Sequence, residues 1–366
     1  MKIDMITFHF VNNFGGALQA YALQRTLETE CSCEAEVIDY RNGFITLTDF
    51  IRLFPVTPNL TEIGSGIRTM GNRFKRGRMF RSFREDFLHL SARKNGHLHL
   101  KLDPPKADVY ICGSDQIWNP FLTFGVNGAY YLDFVRDGHP RIAYAPSFGR
   151  SSMPGFFKTQ IRGHLQKLDA VSVREKTGAA FIKELTGQEV PRLIDPTLLL
   201  SAEEWERAAI LADTQGDYIL LYIMQADPHM YEYARRLKEK TGLRIIEISR
   251  YGYNPGFVDR TLVDVGPREF LGLHKNAAFV CTNSYHGFIF SLIFEKRLCL
   301  IPSRHFRTRI YNLADLLSIG ITEPTHEDLK EIEYDKDKIK AVVETEKQRS
   351  VRWLKEQIMK ASKIRE

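Results

Sequence analysis

The sequence predicts an α/β fold of two domains, each built on a doubly wound parallel sheet. Three observations carry that reading. Short runs rich in Val, Ile, Leu and Phe recur, as in DVYIC at Asp108 to Cys112 and AFVC at Ala278 to Cys281, and segments with apolar residues at helical spacing follow many of them. Strand after strand ends in a cluster of polar residues, and the carboxyl edge is where such sheets bind ligands. At 366 residues the chain also exceeds the size at which one hydrophobic core keeps growing.

From the N-terminus, Ile3 to Phe8 reads as a strand, Asn12, Asn13, Gly15 and Gly16 as a turn, and Leu18 to Leu27 as a helix, with a second strand from Val37 to Tyr40. The turn could present backbone N–H groups to a ligand, but it is not a dinucleotide fingerprint because its glycines are adjacent. Asn13 and Gln19 offer amide hydrogen bonds that suit a sugar hydroxyl as well as a phosphate. Residues 41–105 are irregular. Within them RFKRGRMFRSFREDF, Arg73 to Phe87, sets Phe74, Phe80, Phe83 and Phe87 beside Arg73, Lys75, Arg76, Arg78, Arg81 and Arg84. That pattern fits a basic amphipathic helix lying on an anionic membrane, or an ordinary solvated helix with a core face, and Gly77 interrupts it. His97 and His99 lack a Cys or carboxylate at ligand spacing, so no metal site is expected.

The strand Asp108 to Cys112 runs into Gly113-Ser114-Asp115-Gln116-Ile117-Trp118-Asn119-Pro120. Strands at Arg141 to Ala145 and Ala170 to Val173 end in Pro146-Ser147-Phe148-Gly149 and in Arg174-Glu175, and Ile194 leads into Asp195-Pro196-Thr197. SAEEW, Ser201 to Trp205, places Glu204 three residues after Ser201, the signature of a capped helix start. The domain boundary is placed there, giving domains 1–200 and 201–334 and a closing helix in 335–366. The second domain reads as strand Tyr218 to Met224, helix Met230 to Lys240, strand Leu243 to Ser249 and helix Pro267 to Lys275.

The stretch Ala278 to Pro302 then makes a strand, helix, strand unit. Thr282, Asn283 and Ser284 favour a helix N-cap, Phe288, Ile289, Leu292 and Ile293 recur at helical spacing, and Arg297 to Ile301 is the next strand. His286 therefore falls in the first turn of a helix, just past a strand end, where free N–H groups and the positive dipole end favour an anion. A titratable imidazole beside an anion site is a candidate catalyst; the plainer role is to complete the cap or pack on Tyr285. The loop Ser303 to Arg309 adds Arg304, Arg307 and Arg309.

Composition narrows the class. With 43% hydrophobic and 26% charged residues this is an ordinary globular chain, and its net charge of +6 favours an acidic substrate or an anionic surface. No aromatic-flanked basic sheet motif or zinc-finger spacing points to nucleic acid. The five cysteines are odd in number, and Cys112, Cys281 and Cys299 lie in strand-like runs, as expected of buried thiols in a reducing compartment. MKIDMITFHF lacks the apolar core of a signal peptide and no segment reaches the roughly 20 apolar residues of a membrane span, so a cytoplasmic location is expected.

Taken together, NNFGGALQAYALQ, DVYICGSDQIWNP, AVSVREKTG, LIDPTLLL and FVCTNSYHGFIFSLIF resemble, in order and separation, the polysaccharide pyruvyl transferase family. The resemblance implies a GT-B-like architecture: two Rossmann-like domains facing a cleft, the first on the acceptor side, the second on the donor side, and a C-terminal helix packing back on the first. It also implies transfer of a pyruvate unit from phosphoenolpyruvate, a co-substrate with no further cofactor, to two hydroxyls of a sugar. The product is a cyclic ketal, with release of phosphate. The acceptor would be a glycan or lipid-linked oligosaccharide of exopolysaccharide or capsule biosynthesis, met at the inner membrane face. The family's catalytic histidine corresponds to His286 within Asn283-Ser284-Tyr285-His286-Gly287, and its donor-holding arginine to Arg174. Some members carry a second arginine where this chain has Ser284, a contact that Arg304, Arg307 or Arg309 would supply. Asp115 would orient or deprotonate the acceptor hydroxyl, or serve as an Asx cap, and Asn13, Gly15, Gln19, Ser114 and Trp118 would meet the acceptor sugar.

Two rival functions follow from the same shape. A nucleotide-sugar glycosyltransferase would use Asp335-Lys336-Asp337 as a metal-binding pair, a segment that reads more simply as a helix cap. A catalytically silent glycan-binding protein would bind the acceptor without releasing phosphate.

Overall fold

A computed structural model describes residues 1–43, 63–150, 152–211, 214, 216–225, 227–249, 254–302, 307–321 and 330–363. The chain divides into two compact units. One comprises Met1–Arg52, Arg84–Leu200 and Val343–Glu366, the other Leu53–Phe83 and Ser201–Val342.

The first unit carries β1 (Lys2–Ile6), β2 (Glu34–Val37), β3 (Tyr40–Arg41), β4 (Lys94–Asn95), β5 (Val109–Gly113), β6 (Arg141–Tyr144) and β7 (Ala170–Val171). β3 and β4 pair with each other, and the other five form a parallel sheet in the order β2-β1-β5-β6-β7. The second unit carries β8 (Tyr218–Tyr222), β9 (Arg244–Ile248), β10 (Arg260–Leu262), β11 (Phe279–Thr282) and β12 (Arg297–Leu300), parallel in the order β10-β9-β8-β11-β12. Both are Rossmann-like, as the sequence predicts. Every residue of VYICG and YILLY is buried, which is why these strands read as continuous apolar runs without alternation. Side chains from successive strands share each core, Ile6 with Cys112 and Ala143 in the first unit, Leu221 with Ile245 and Cys281 in the second. Burying each of the larger ones contributes roughly 1.5–3 kcal/mol.

The order of each sheet contains one reversal. From β1 the chain steps outward to β2, then returns to the far side of β1 at β5; from β8 it steps to β9 and β10, then returns at β11. The crevices between the carboxyl ends of β1 and β5, and of β8 and β11, are the switch points at which such sheets hold ligands.

The capping box at Ser201 and Glu204 is formed as the spacing predicts. In the closing helix Lys336–Lys363 the buried residues Val351, Leu354, Ile358 and Ala361 fall at helical spacing. From Val343 this helix belongs to the first unit, where Ser350 Oγ accepts from Ile194 N at 3.3 Å and Trp353 packs on Tyr144. The edge strand β10, three residues of which none is fully buried, carries too weak a pattern to be read from sequence.

The basic segment takes the form of an ordinary helix with a core face, one of the two readings its sequence allowed. The helix Ile63–Phe87 runs straight through Gly77, but Phe80 and Phe83 are buried in the protein, Phe87 is half-buried, and only Phe74 among the four aromatics is exposed. Lys75 pairs with Asp264 at 2.6 Å. The apolar side that would have entered a membrane is spent on the protein's own core.

Candidate functional site

In the second unit, the switch crevice is framed by the ends of β8 and β11. Thr282, the last residue of β11, donates its hydroxyl to the Tyr222 carbonyl at 2.6 Å and accepts from Ser284 N at 3.1 Å. Asn283 spans the crevice: its Oδ1 accepts from Met224 N at 2.7 Å and its Nδ2 donates to the Gln225 carbonyl at 2.8 Å. Ser284 caps the helix Tyr285–Ile293 by accepting from Gly287 N. Gly287 is glycine because a Cβ there would stand 2.4 Å from Thr282 Oγ1 and 3.0 Å from Tyr222 Cδ1. Its absence lets the helix start close against β8 and β11.

These contacts hold His286 in the first turn, at the carboxyl edge of β11, with 7% of its surface exposed. Its ring meets Tyr285 edge-on, with centroids 5.1 Å apart. Over the Tyr285 ring, 5.1 Å from its centroid, lies the guanidinium of Arg309, from the helix Arg307–Leu316 that follows β12. Imidazole, phenol and guanidinium thus gather at one helix N-terminus, where the dipole adds a partial positive charge. Of the three arginines expected here, Arg309 is buried against this turn, Arg307 is exposed, and Arg304 lies outside the described residues. Asn283 and Ser284 act through the backbone they hold, since the hydrogen bonds of both side chains go to main chain.

The first unit arranges its predicted residues differently. Arg174, following β7, is buried: Nη1 pairs with Asp195, Nε lies 3.6 Å from Glu175 Oε1, and Nη2 lies 3.8 Å from Asp115 Oδ1. Asp195 Oδ1 is itself taken by Thr197, through its N–H at 3.0 Å and its hydroxyl at 2.6 Å. Glu175 accepts from the Ser147 hydroxyl. Three carboxylates around one guanidinium make the local charge negative, a setting unlike the anion-holding one that the resemblance implies for Arg174. Asp115 is the most exposed of the three acids, and its φ of 62° puts a non-glycine residue in the left-handed region. Backbone strain of about 1–3 kcal/mol at a strand end is characteristic of functional positions.

The expected acceptor set is also corrected. Gln19 is fully buried and donates from Nε2 to Thr7 Oγ1 at 2.8 Å while its Oε1 accepts from Ser114 N at 3.1 Å. Ser114 donates to the Ala145 carbonyl at 2.7 Å. Together they fill the β1–β5 crevice with the protein's own polar groups. Asn13 caps the helix Phe14–Thr29 by accepting from Gly16 N, and Gly15 is buried in that helix's first turn. A Cβ on Gly16 would stand 2.6 Å from the Phe8 carbonyl oxygen, so that glycine serves close backbone packing. Trp118 lies parallel on Tyr131 at 4.9 Å, packs on Phe148 and donates Nε1–H to the Tyr130 carbonyl. With 1% exposure its ring has no face left for a sugar.

Among the described residues no group of three or more His, Cys, Asp or Glu is placed to hold a metal ion. His97, one of the alternating pair, instead bonds Asp133 at 2.6 Å through Nε2.

Two parallel α/β sheets, with an imidazole seated at the switch point of the second, define a ligand-binding or catalytic protein of the Rossmann-like class. The chain belongs to the polysaccharide pyruvyl transferase family: the model of that family matches residues 13–305, a span that includes Asp115, Arg174 and His286. It is accordingly a transferase. No curated protein matches the chain by sequence. Solved structures similar to it include UDP-GlcNAc 2-epimerase from Neisseria meningitidis bound to UDP-GlcNAc, at 12% identity over 98% of this chain and 100% of that one, with a TM-score of 0.48. The S. aureus MnaA–UDP structure matches at 12% identity over 94% and 87%, with a TM-score of 0.44. E. coli heptosyltransferase WaaC with ADP-2-deoxy-2-fluoro heptose matches at 12% identity over 82% and 88%, with a TM-score of 0.38. Likenesses of this degree carry no argument about site or substrate.

Proposed function

We propose that the chain moves a pyruvate unit from phosphoenolpyruvate to two hydroxyls of one glycan sugar, forming a cyclic ketal and releasing phosphate. The observation that carries this reading is His286 at the switch point of the second sheet, in a helix N-terminal turn shared with Tyr285 and Arg309. A small polyanion suits that turn, with Arg309 pairing with its phosphate or carboxylate.

The chemistry needs one titratable group used twice. In the first step a sugar hydroxyl adds to C2 of the enol while C3 gains a proton, leaving a tetrahedral ketal phosphate. In the second step the neighbouring hydroxyl bonds to C2 as the C2–O bond to phosphate breaks, and its proton leaves on the phosphate. His286 donates the proton to C3 and accepts the one that the first hydroxyl gives up, a role worth roughly 10² to 10⁴ in rate. Asp115 orients an acceptor hydroxyl, and Arg174 acts by positioning Asp115. All five cysteines are free thiols, in keeping with a cytoplasmic site of action. Among the described residues no helix is long and apolar enough to cross a membrane. A glycan or lipid-linked oligosaccharide of cell-surface or exopolysaccharide synthesis is the acceptor class this reading assigns.

Phosphate release from phosphoenolpyruvate, measured over galactose-, mannose- and glucuronate-containing acceptors, tests it. His286→Ala should lower kcat by at least about 10²-fold with unchanged circular dichroism, and Arg309→Ala should chiefly raise KM for phosphoenolpyruvate. A wild-type protein that releases no phosphate with any acceptor, and is stabilised by nucleotide sugars in place of phosphoenolpyruvate, would be a glycosyltransferase and would overturn the proposal.

A further inference from the structure

Asp39, between β2 and β3 in the first unit, is buried, and two arginines and a histidine converge on it. Arg41 donates from Nε to Oδ1 at 2.6 Å and from Nη2 to Oδ2 at 3.3 Å, while Arg93 donates from Nε to Oδ2 at 3.2 Å. His9, fully buried, sets its Nε2 3.0 Å from Oδ1 and its Nδ1 3.3 Å from the Thr7 carbonyl oxygen. His9 follows the end of β1 and Asp39 the end of β2. These strands are parallel neighbours, so the cluster stands at the carboxyl edge of the sheet, where such folds hold ligands.

The charges do not balance. Burial raises the Asp39 carboxyl, but hydrogen bonds from His9 and Arg41 outweigh it and hold the group well below the usual carboxylate range, so it is ionised. Burial holds His9 below the usual imidazole range, so the ring adds no full charge. Two guanidiniums therefore share one carboxylate, and one positive charge is left over. Around Arg174 the imbalance runs the other way, with three acids to one cation. Asp39 engages Arg93 through Nε alone; its Nη1 and Nη2 groups have no hydrogen-bond partner among the described residues, and its side chain is 61% exposed.

Both guanidiniums are held in place. Asp39 N donates to Ser91 Oγ at 3.1 Å and the Asp39 carbonyl accepts from Lys94 N at 2.9 Å. The pairing of Tyr40 with Lys94 between β3 and β4 brings the backbone of Arg93 opposite Asp39. Arg41 Cζ also lies 5.8 Å from the centroid of the Phe10 ring. Ordering a long cationic side chain is a cost of binding, and here the contacts with Asp39 have met part of it before any ligand arrives. A planar guanidinium pairs through two N–H groups with phosphate oxygens, and a phosphoryl group brings the negative charge that the cluster lacks.

We infer that Arg93 and Arg41 bind a phosphate or diphosphate group, with Asp39 and His9 positioning the two guanidiniums. Assigning that group to a lipid-linked acceptor rests on the pyruvyl transferase reading; the affinity of the cluster for a phosphoryl anion does not. The test is isothermal titration calorimetry of the whole chain with pyrophosphate and with farnesyl diphosphate, run on wild type, Arg93→Gln, Arg93→Lys and Arg309→Ala. Arg93→Gln leaves Asp39 paired with Arg41 and His9, so its circular dichroism should match wild type. Wild type should bind both anions. Arg93→Gln should weaken that binding about tenfold or more, Arg93→Lys should weaken it less because the charge is kept, and Arg309→Ala should leave it in place. Equal affinity for the two anions would make the ligand a bare phosphoryl group and tighter farnesyl diphosphate a lipid-linked one; either supports the site. If neither anion binds, or Arg93→Gln binds as tightly as wild type, the inference fails, and phosphate release from phosphoenolpyruvate judges the enzymatic reading separately. Binding that depends on Arg93 in a chain that releases no phosphate with any acceptor keeps the site and removes the enzymatic reading.

Discussion

The two ends of the Arg174 guanidinium serve different acids: Nη1 pairs with Asp195, while Nη2 lies 3.8 Å from Asp115 Oδ1. One buried cation thereby ties the strained turn after β5 to the segment that follows Ile194.

Removing that cation should destabilise the fold. Arg174→Ala leaves buried carboxylates uncompensated, a change that costs about 3–5 kcal/mol. A fall in Tm of several degrees is expected by calorimetry, with Arg174→Lys intermediate because an ammonium cannot reach all three acids. An Arg174→Ala protein of unchanged Tm with a raised KM for phosphoenolpyruvate would instead restore Arg174 as a donor ligand.

Gly287→Ala tests how closely His286 is placed. The added methyl meets Thr282 Oγ1 at 2.4 Å and must displace the helix start from the strand. Overpacking of this kind costs about 1–3 kcal/mol, and displacement of the imidazole should lower kcat more than it raises KM. Kinetics indistinguishable from wild type would show that the position of His286 does not matter.

Asp4 makes stability depend on pH from the alkaline side. It is fully buried in β1, neither carboxyl oxygen has a hydrogen-bond partner among the described residues, and burial pushes its pKa up to about 7. The folded state therefore holds the proton more tightly than the unfolded one, whose value is near 3.8, and this group's stabilisation is lost as pH rises from about 4 to 7. Between those two values each step of one in pH removes about 1.4 kcal/mol. Asp4→Asn should therefore be more stable than wild type at pH 8 by a few kcal/mol, and the gap should shrink at pH 5. A difference that does not change with pH would refute this.

His274 acts in the opposite direction. Fully buried, with Nδ1 donating to the Phe270 carbonyl at 3.0 Å, it is driven down to about 4 by burial. A neutral imidazole is part of the fold, so stability present above pH 6.5 is lost as pH falls towards 4. His274→Gln should flatten that limb of the Tm profile relative to wild type. An identical acid limb would rule His274 out as its source.

Much of the architecture is legible because it is written locally. DVYIC and AFVC are strands whatever surrounds them, Ser201 and Glu204 are near enough in sequence to find each other, and the polar break at Thr282 to Ser284 announces the helix that carries His286. The candidate site is legible in the same measure: the histidine's position past a strand end follows from spacing alone.

Partnership is another matter. Gln19 meets Ser114 across 95 positions, Arg174 meets Asp195 across 21, and Trp118 finds Tyr131. In the bare sequence each looks ready for a ligand, because an amide, a guanidinium or an indole has the same chemistry whether it faces water or another residue. Periodicity, short-range caps and motif order are enough to set the parallel α/β class, the family and the place of His286. Contacts between residues far apart in the chain alone settle which polar groups are already satisfied.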